Sequence, residues 1–164
     1  GKGCTFEGGM REPFIAWWPG RIKAGQVVQD MGSTLDFLPT ICSLSGAKLP
    51  DENILDGMDI SPALLGTGPS PRNVMLFYRG AKLYAVRKGP YKAHYITKPA
   101  YGQNIKDTKH DPPLLFHLGR DPSEQHDIAA QHADVIEDIR KEVALHLANL
   151  TPGKDQLAEL IAKD

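Results

Sequence analysis

The sequence predicts a turn-rich α/β or α+β chain, and three observations carry that prediction. Short strand-like apolar runs recur between turns, an amphipathic helix comes late in the chain, and 16 Gly and 13 Pro are spread through the 164 residues as punctuation. No internal repeat or low-complexity tract interrupts this pattern. Hydrophobic residues at 41% and charged residues at 24% exclude disordered and collagen-like classes and allow a sizeable core. Nineteen Lys+Arg against 20 Asp+Glu leave a formal net charge of −1, so there is no bulk positive charge to drive nucleic-acid binding. The longest apolar runs, residues 14–18 and 74–78, fall far short of the ~18 residues of a membrane-spanning helix. The chain opens Gly1-Lys2-Gly3-Cys4 without an initiator Met or a secretory-signal pattern, and is expected to begin at a cut.

Each element follows from local chemistry. Gly8-Gly9 precedes the apolar run Pro13-Phe14-Ile15-Ala16-Trp17-Trp18, of which residues 14–18 are expected as a buried strand ended by Pro19-Gly20. Ser33-Thr34-Leu35-Asp36 has the form of a capping box ahead of Phe37, Leu38, Ile41, Cys42 and Leu44, which predicts a helix of about three turns. Gly46 closes that helix, and Pro39 lies early enough to be tolerated. Residues 47–72 read as connection, with one short helical turn at Ser61–Leu65. Beyond them, residues 74–78, 83–87 and 91–97 are strand-like and separated by Arg79-Gly80-Ala81-Lys82 and Lys88-Gly89-Pro90, turn chemistry that favours antiparallel hairpins. A fourth strand is expected at 114–118 after a polar loop at 99–113. Val135, Ile136, Ile139, Val143, Leu147 and Leu150 then mark one face of a helix, which an antiparallel sheet would bury.

The chemistry-bearing residues are sparse. His94, His110, His117, His126, His132 and His146 form no His-x3-His pair, and neither Cys4 nor Cys42 has a partner at ligand spacing, so no protein-bound zinc is expected. His132 and His146 are expected on the solvent side of the last helix. His94 differs, because strand alternation puts it on the same face as Lys92, although a histidine in a strand is more often structural than functional. Asp51, Glu52, Asp56 and Asp59 fail the calcium-loop template, since Ile54, Leu55 and Met58 interrupt them. There is no Gly-x-Ser-x-Gly elbow and no phosphate loop, and Cys42 reads as an inert buried thiol. Gly1-Lys2-Gly3 followed by Gly8-Gly9 brings a lysine and free backbone amides within reach of an anion.

Several segments together resemble the C-terminal part of a sulfatase of the arylsulfatase A and N-acetylgalactosamine-6-sulfatase type. They are Gly1-Lys2-Gly3-Cys4-Thr5-Phe6-Glu7-Gly8-Gly9-Met10-Arg11-Glu12-Pro13, Ala16-Trp17-Trp18-Pro19-Gly20, Leu55-Asp56-Gly57, Phe77-Tyr78-Arg79-Gly80, Lys92-Ala93-His94, and residues 115–122, Leu-Phe-His-Leu-Gly-Arg-Asp-Pro. The resemblance implies an alkaline-phosphatase-like α/β fold and hydrolysis of a sulfate monoester, of a sulfated sugar or an aryl alcohol. Its implied cofactors are calcium and a cysteine-derived formylglycine, whose hydrated form attacks sulfur while fixed cations stabilise the developing charge. On this resemblance Lys2 binds the sulfate, His94 approaches the leaving group, and Glu7 and Arg11 anchor the lysine loop as an ion pair or turn.

The departures from the family pattern shape the remaining expectations. Cys4 leads into Thr5-Phe6-Glu7 and Cys42 into Ser43-Leu44-Ser45, so neither stands in a Cys-x-Pro-x-Arg or Cys-x-Ala-x-Arg modification motif. The family's Asp-Asp and Asp-Asn pairs for calcium and its catalytic histidines normally precede this region. The chain is therefore expected to be the last third of the enzyme, with no metal ligand of its own, its missing N-terminal sulfatase domain supplying both cofactors. Residues 1–68 are expected to end the large α/β domain with one strand and one helix, and residues 69–164 to form a small domain, a four-stranded antiparallel sheet with a packed C-terminal helix. Without the rest of the sheet, Phe14, Ile15, Trp17 and Trp18 should form an exposed apolar patch. The alternative is a non-catalytic, sulfatase-derived binding or assembly module. The family is lysosomal in animals and periplasmic or secreted in bacteria. The sequon Asn149-Leu150-Thr151 is compatible with the former, while the near absence of cysteine favours a bacterial exported enzyme.

Overall fold

A computed structural model of the chain describes residues 1–101, 105–151 and 153. They divide into two compact units, one combining Gly1–Arg11 with Val74–Asp164 and the other comprising Glu12–Asn73.

The first unit is built on a four-stranded antiparallel sheet in the order β1-β2-β3-β4, with β1 at Val74–Arg79, β2 at Lys82–Lys88, β3 at Tyr91–Thr97 and β4 at Thr108–His117. The two short turns join β1 to β2 and β2 to β3 as hairpins, so neighbouring strands pair in sequence order. Alternation then sorts the side chains. Val86, Ala93 and Leu115 fall on one face and pack with Ile136 and Ile139 of α4, which spans Ala133–Asn149, and with Ala129 before it. Lys92 and His94 fall on the other face, also fully buried, beneath the N-terminal segment and its short helix α1, Glu7–Met10.

Three expectations for this unit are corrected. The fourth strand begins at Thr108, well before 114, because Ile96 and Thr97 pair with Lys109 and Thr108 beyond a bulge after His94. Pro112 and Pro113 are tolerated there because β4 is an edge strand. The apolar stripe of α4 is buried at Ile136 and Ile139, whereas Leu147 and Leu150 are exposed. Past Val143 the helix meets the sheet through His146, whose Nε2 lies 2.8 Å from the hydroxyl of Tyr78. His146 is therefore half-buried against β1 rather than solvent-facing, and His132 is half-buried beside the Tyr91 ring.

The second unit is organised by Asp36. Ser33 and Asp36 form the expected capping box: the Ser33 hydroxyl accepts from the Leu35 amide and the Asp36 carboxylate from the Ser33 amide, opening a single 3-10 turn, Thr34–Asp36. Helix α2, Phe37–Ser45, follows and ends at Gly46, and α3 occupies Ser61–Leu65. Asp36 is fully buried; it also accepts from the Met58 amide and pairs with the guanidinium of Arg72, which in turn donates to the Asp56 carbonyl. Gly57 lies against this hub, where a Cβ would come within 2.1 Å of the Leu35 carbonyl oxygen. Residues 14–18 form no strand among the described residues. No strand pairs with them among the described residues, and Ile15 and Trp17 are 88% and 85% exposed, so the apolar patch expected of this segment is present.

Substituting Asp36→Ala removes one member of a buried ion pair together with two amide acceptors, and should lower stability by about 3–5 kcal/mol. Urea unfolding would read this. A loss within about 0.5 kcal/mol, the range of an ordinary surface change, would reject Asp36 as the anchor.

Candidate functional site

The site begins with the glycine-rich turn at residues 1–4. The Cys4 amide and thiol both donate to the Gly1 carbonyl, at 3.4 and 2.9 Å, so Cys4 closes the turn from inside as a buried thiol. Arg79 of β1 donates to the Gly3 carbonyl at 2.7 Å and fixes the turn from outside. Helix α1 packs against it so closely that a Cβ on Gly9 would come within 2.4 Å of the Cys4 carbonyl oxygen and 2.6 Å of that of Gly1, which is why glycine is needed at position 9. Lys2 projects from this turn as an exposed side chain.

Beneath the turn lies a buried cluster of charged and polar side chains. Lys92 Nζ is 2.8 Å from Glu7 Oε1 and 3.6 Å from Glu124 Oε1, and sits 4.6 Å from the centre of the Phe77 ring. Glu124 also accepts from His94 Nε2 at 2.7 Å and from the Glu7 amide. Thr5 Oγ1 stands 3.5 Å from His94 Nδ1, and the Phe6 ring stacks on the imidazole at 4.4 Å. Glu7 Oε2 has no hydrogen-bond partner among the described residues and faces Arg87 Nη1 at 4.0 Å. Burial pushes the His94 pKa down, outweighing the neighbouring Glu124 carboxylate, which pushes it up. Burial alone would raise Glu124, but the bonds from His94 and the Glu7 amide and the charge of Lys92 bring it below the ordinary carboxylate value. Both directions describe one arrangement: a neutral imidazole protonated on Nε2 donates to an ionised Glu124, and its Nδ1 accepts from Thr5.

Among the expected site residues, Glu7 and His94 come together and Lys2 rides on the turn above them. The Arg11 side chain does not join them: Arg11 is exposed and closes the turn through its amide, which donates to the Glu7 carbonyl at 2.8 Å, while the charges that pair with Glu7 are Lys92 and, at 4.0 Å, Arg87. His94, expected beside the leaving group, is fully buried under Phe6. The residue missed altogether is Glu124. Its backbone lies in the left-handed region at φ 54°, in a turn whose Asp121 carboxylate accepts from the amides of Gln125 and His126. An Asp-Pro-Ser-Glu turn straight after a strand was the available signal. No group of three or more His, Cys, Asp or Glu among the described residues is placed to hold a metal ion.

The pKa directions fix a pH dependence. A histidine held below its ordinary 6.5 contributes stability that is fully present above that pH and is lost as pH falls toward its depressed folded value. Glu124, held below 4.5, adds a second loss of the same sign further down. The melting temperature should therefore fall as pH drops below 6.5, and His94→Gln should flatten that first limb. An identical pH profile in the variant would reject the neutral, buried imidazole.

Comparison with known proteins shows the family. Residues 70–164 match the family described as the C-terminal region of aryl-sulfatase. Arylsulfatase A of Bos taurus is 42% identical over 183 aligned residues, covering 97% of this chain and 35% of the relative. N-acetylgalactosamine-6-sulfatase of Canis lupus familiaris is 41% identical, with 96% and 34% covered. The chain thus spans about a third of the length of the curated relatives it matches. The solved PsFucS1 sulfatase from Pseudoalteromonas sp. superposes with a TM-score of 0.80 at 30% identity, over 90% of this chain and 32% of that one. The sheet and its helices are therefore those of a known architecture, and the chain belongs to the sulfatase family as a C-terminal part of the fold.

Proposed function

We propose that the protein to which this chain belongs hydrolyses sulfate monoesters, an aryl sulfate or a sulfated sugar, and that Lys2 binds the sulfate. The observation that carries the reading is the construction around Lys2: an exposed ammonium on a turn pinned by Cys4, Gly9 and Arg79, in a chain of this family. A fixed cation costs no reorganisation when charge develops on the sulfate oxygens and the leaving oxygen, and such preorganised electrostatics is the largest common term in catalysis. Glu7, Lys92, His94 and Glu124 act one layer below, as positioning residues. They hold α1 and the turn against β3 and touch no substrate.

The family reading also implies calcium and formylglycine. The residues described here do not fit either: no three potential ligands converge, Cys4 is buried with its thiol on the Gly1 carbonyl, and Cys42 is buried in α2. In this reading both belong to the part of the enzyme that the chain does not span, as does most of the substrate pocket, and the large-domain assignment of residues 1–68 rests on the same ground. Curated relatives named as sulfatases favour the hydrolase over a non-catalytic module. An exported protein, periplasmic or secreted in a bacterium and lysosomal in an animal, accords with the family. No helix of the described residues is long and apolar enough to cross a membrane.

Lys2→Ala in the intact protein should lower kcat/KM for an aryl sulfate by about 10²–10³, the usual effect of removing one preorganised group that stabilises transition-state charge. Lys2→Arg should recover part of it. Full activity in Lys2→Ala, with the protein folded, would sink the assignment. The 164-residue chain alone should show no turnover, and detectable hydrolysis by the purified chain would overturn the division of labour proposed here. Asn149, exposed at the end of α4, should carry no glycan in a bacterial protein; a sugar found there by mass spectrometry would place the protein on an animal secretory route.

A further inference from the structure

We infer that Tyr101 contacts the leaving group of the sulfate ester, its ring forming a wall beside the sulfate held by Lys2; this rests on the sulfatase reading above. Tyr101 lies in the connection between β3 and β4 and is 73% exposed. A side chain built on Gly1 would meet its ring at 3.2 Å from Cε2 and 4.0 Å from Cδ2, with the Ala100 Cβ also at 4.0 Å. The ring therefore stands against the backbone one residue from Lys2.

That placement is fastened from two sides. Arg79, which holds the Gly3 carbonyl, has its guanidinium carbon 5.9 Å from the centre of the Tyr84 ring. The Tyr84 hydroxyl donates to Asp107 Oδ1 at 2.7 Å, and Asp107 also pairs with Lys82 at 3.0 Å and Lys98 at 3.9 Å. The lysine turn and both ends of the β3–β4 connection are thus tied to the same residue of β2. None of these ties uses Tyr101 itself, and no hydrogen bond occupies its hydroxyl among the described residues. The described residues leave most of its ring uncovered.

The chemistry follows from distance. Consecutive Cα atoms are ~3.8 Å apart, and in a sulfate monoester the organic ring is joined to the sulfate through one ester oxygen, so a sulfate drawn down onto this turn by Lys2 carries its ring alongside Tyr101. An aromatic face binds the apolar face of a sugar or an arene by dispersion and ring stacking. Such contact exists equally in the ground and transition states, so it shows in KM and not in kcat.

The test uses the intact protein, 4-nitrophenyl sulfate as substrate, and inorganic sulfate as a competitive inhibitor that has no leaving group. Tyr101→Ala should raise KM about tenfold with kcat nearly unchanged, the signature of lost uniform binding. Tyr101→Phe should keep the wild-type KM, and the inhibition constant for sulfate should be the same in all three proteins. An unchanged KM in Tyr101→Ala overturns the inference. So does a sulfate inhibition constant that rises in parallel with KM, which would make Tyr101 a prop for the lysine turn. Loss of activity in Lys2→Ala with KM indifferent to Tyr101 removes this inference alone. A wild-type protein inactive on both 4-nitrophenyl sulfate and a sulfated monosaccharide removes the sulfatase reading, and this inference with it.

Discussion

The Lys92 ammonium, fully buried between the carboxylates of Glu7 and Glu124, is the interaction on which the rest of the site depends. Glu7 lies ahead of the sheet in α1, Lys92 is the second residue of β3, and Glu124 sits in the turn after β4, so one cation joins three segments far apart in sequence. Desolvating such ions costs several kcal/mol each, and the cost is recovered only where geometry and further hydrogen bonds are complete. Here His94 and the Glu7 amide complete Glu124, and Arg87 faces the remaining oxygen of Glu7. An apolar substitute of equal volume could match the stability, but it would not fix the position of α1 and of the turn that carries Lys2.

The count of charges in the cluster matters for what lies above it. Two carboxylates are met by Lys92 and, at longer range, by Arg87, while His94 stays neutral. Glu7 is therefore committed to the interior, although it stands only five residues from Lys2. Were Glu7 paired within its own block, to Arg11 or to Lys2, its carboxylate would lie beside the anion site and oppose the charge that a sulfate must meet. Pairing it downward to Lys92 leaves the surface of the turn cationic. The same logic governs the other unit, where Asp36 collects Arg72 and two amides and no charge is left over inside.

How much of this could be read from the sequence depended on the range of the interaction. The capping box at Ser33, the cap at Gly46, the short helix at Ser61–Leu65, both hairpins and the buried part of the α4 stripe, Ile136 and Ile139, are local chemistry, and each is legible. Strand alternation also put Lys92 and His94 on one face. Residues 14–18 misled because an apolar β-prone run becomes a strand only where another strand offers hydrogen bonds, and among the described residues none does. The start of β4 was misread because Thr108–Asp111 is polar, and edge pairing tolerates polar residues that periodicity excludes. Glu124 was invisible for a different reason: a carboxylate between a strand and a helix looks solvated until the Asp121 turn rotates it inward.

Strand β3 also links stability to function through its period of two. Ala93 faces Val86, Leu115 and Ile139 in the apolar core, and its neighbours Lys92 and His94 face the N-terminal segment. The register that buries Ala93 is the same one that delivers Lys92 to Glu7, as the pairs Val86 with Ala93 and Ala93 with Leu115 show. A slip by one residue would send Lys92 into the aliphatic core and leave Glu7 and Glu124 facing each other without a cation. Packing of α4 on one face therefore polices the electrostatics on the other, and the hydrophobic core does more than stabilise. It selects the only register in which the turn bearing Lys2 can be held.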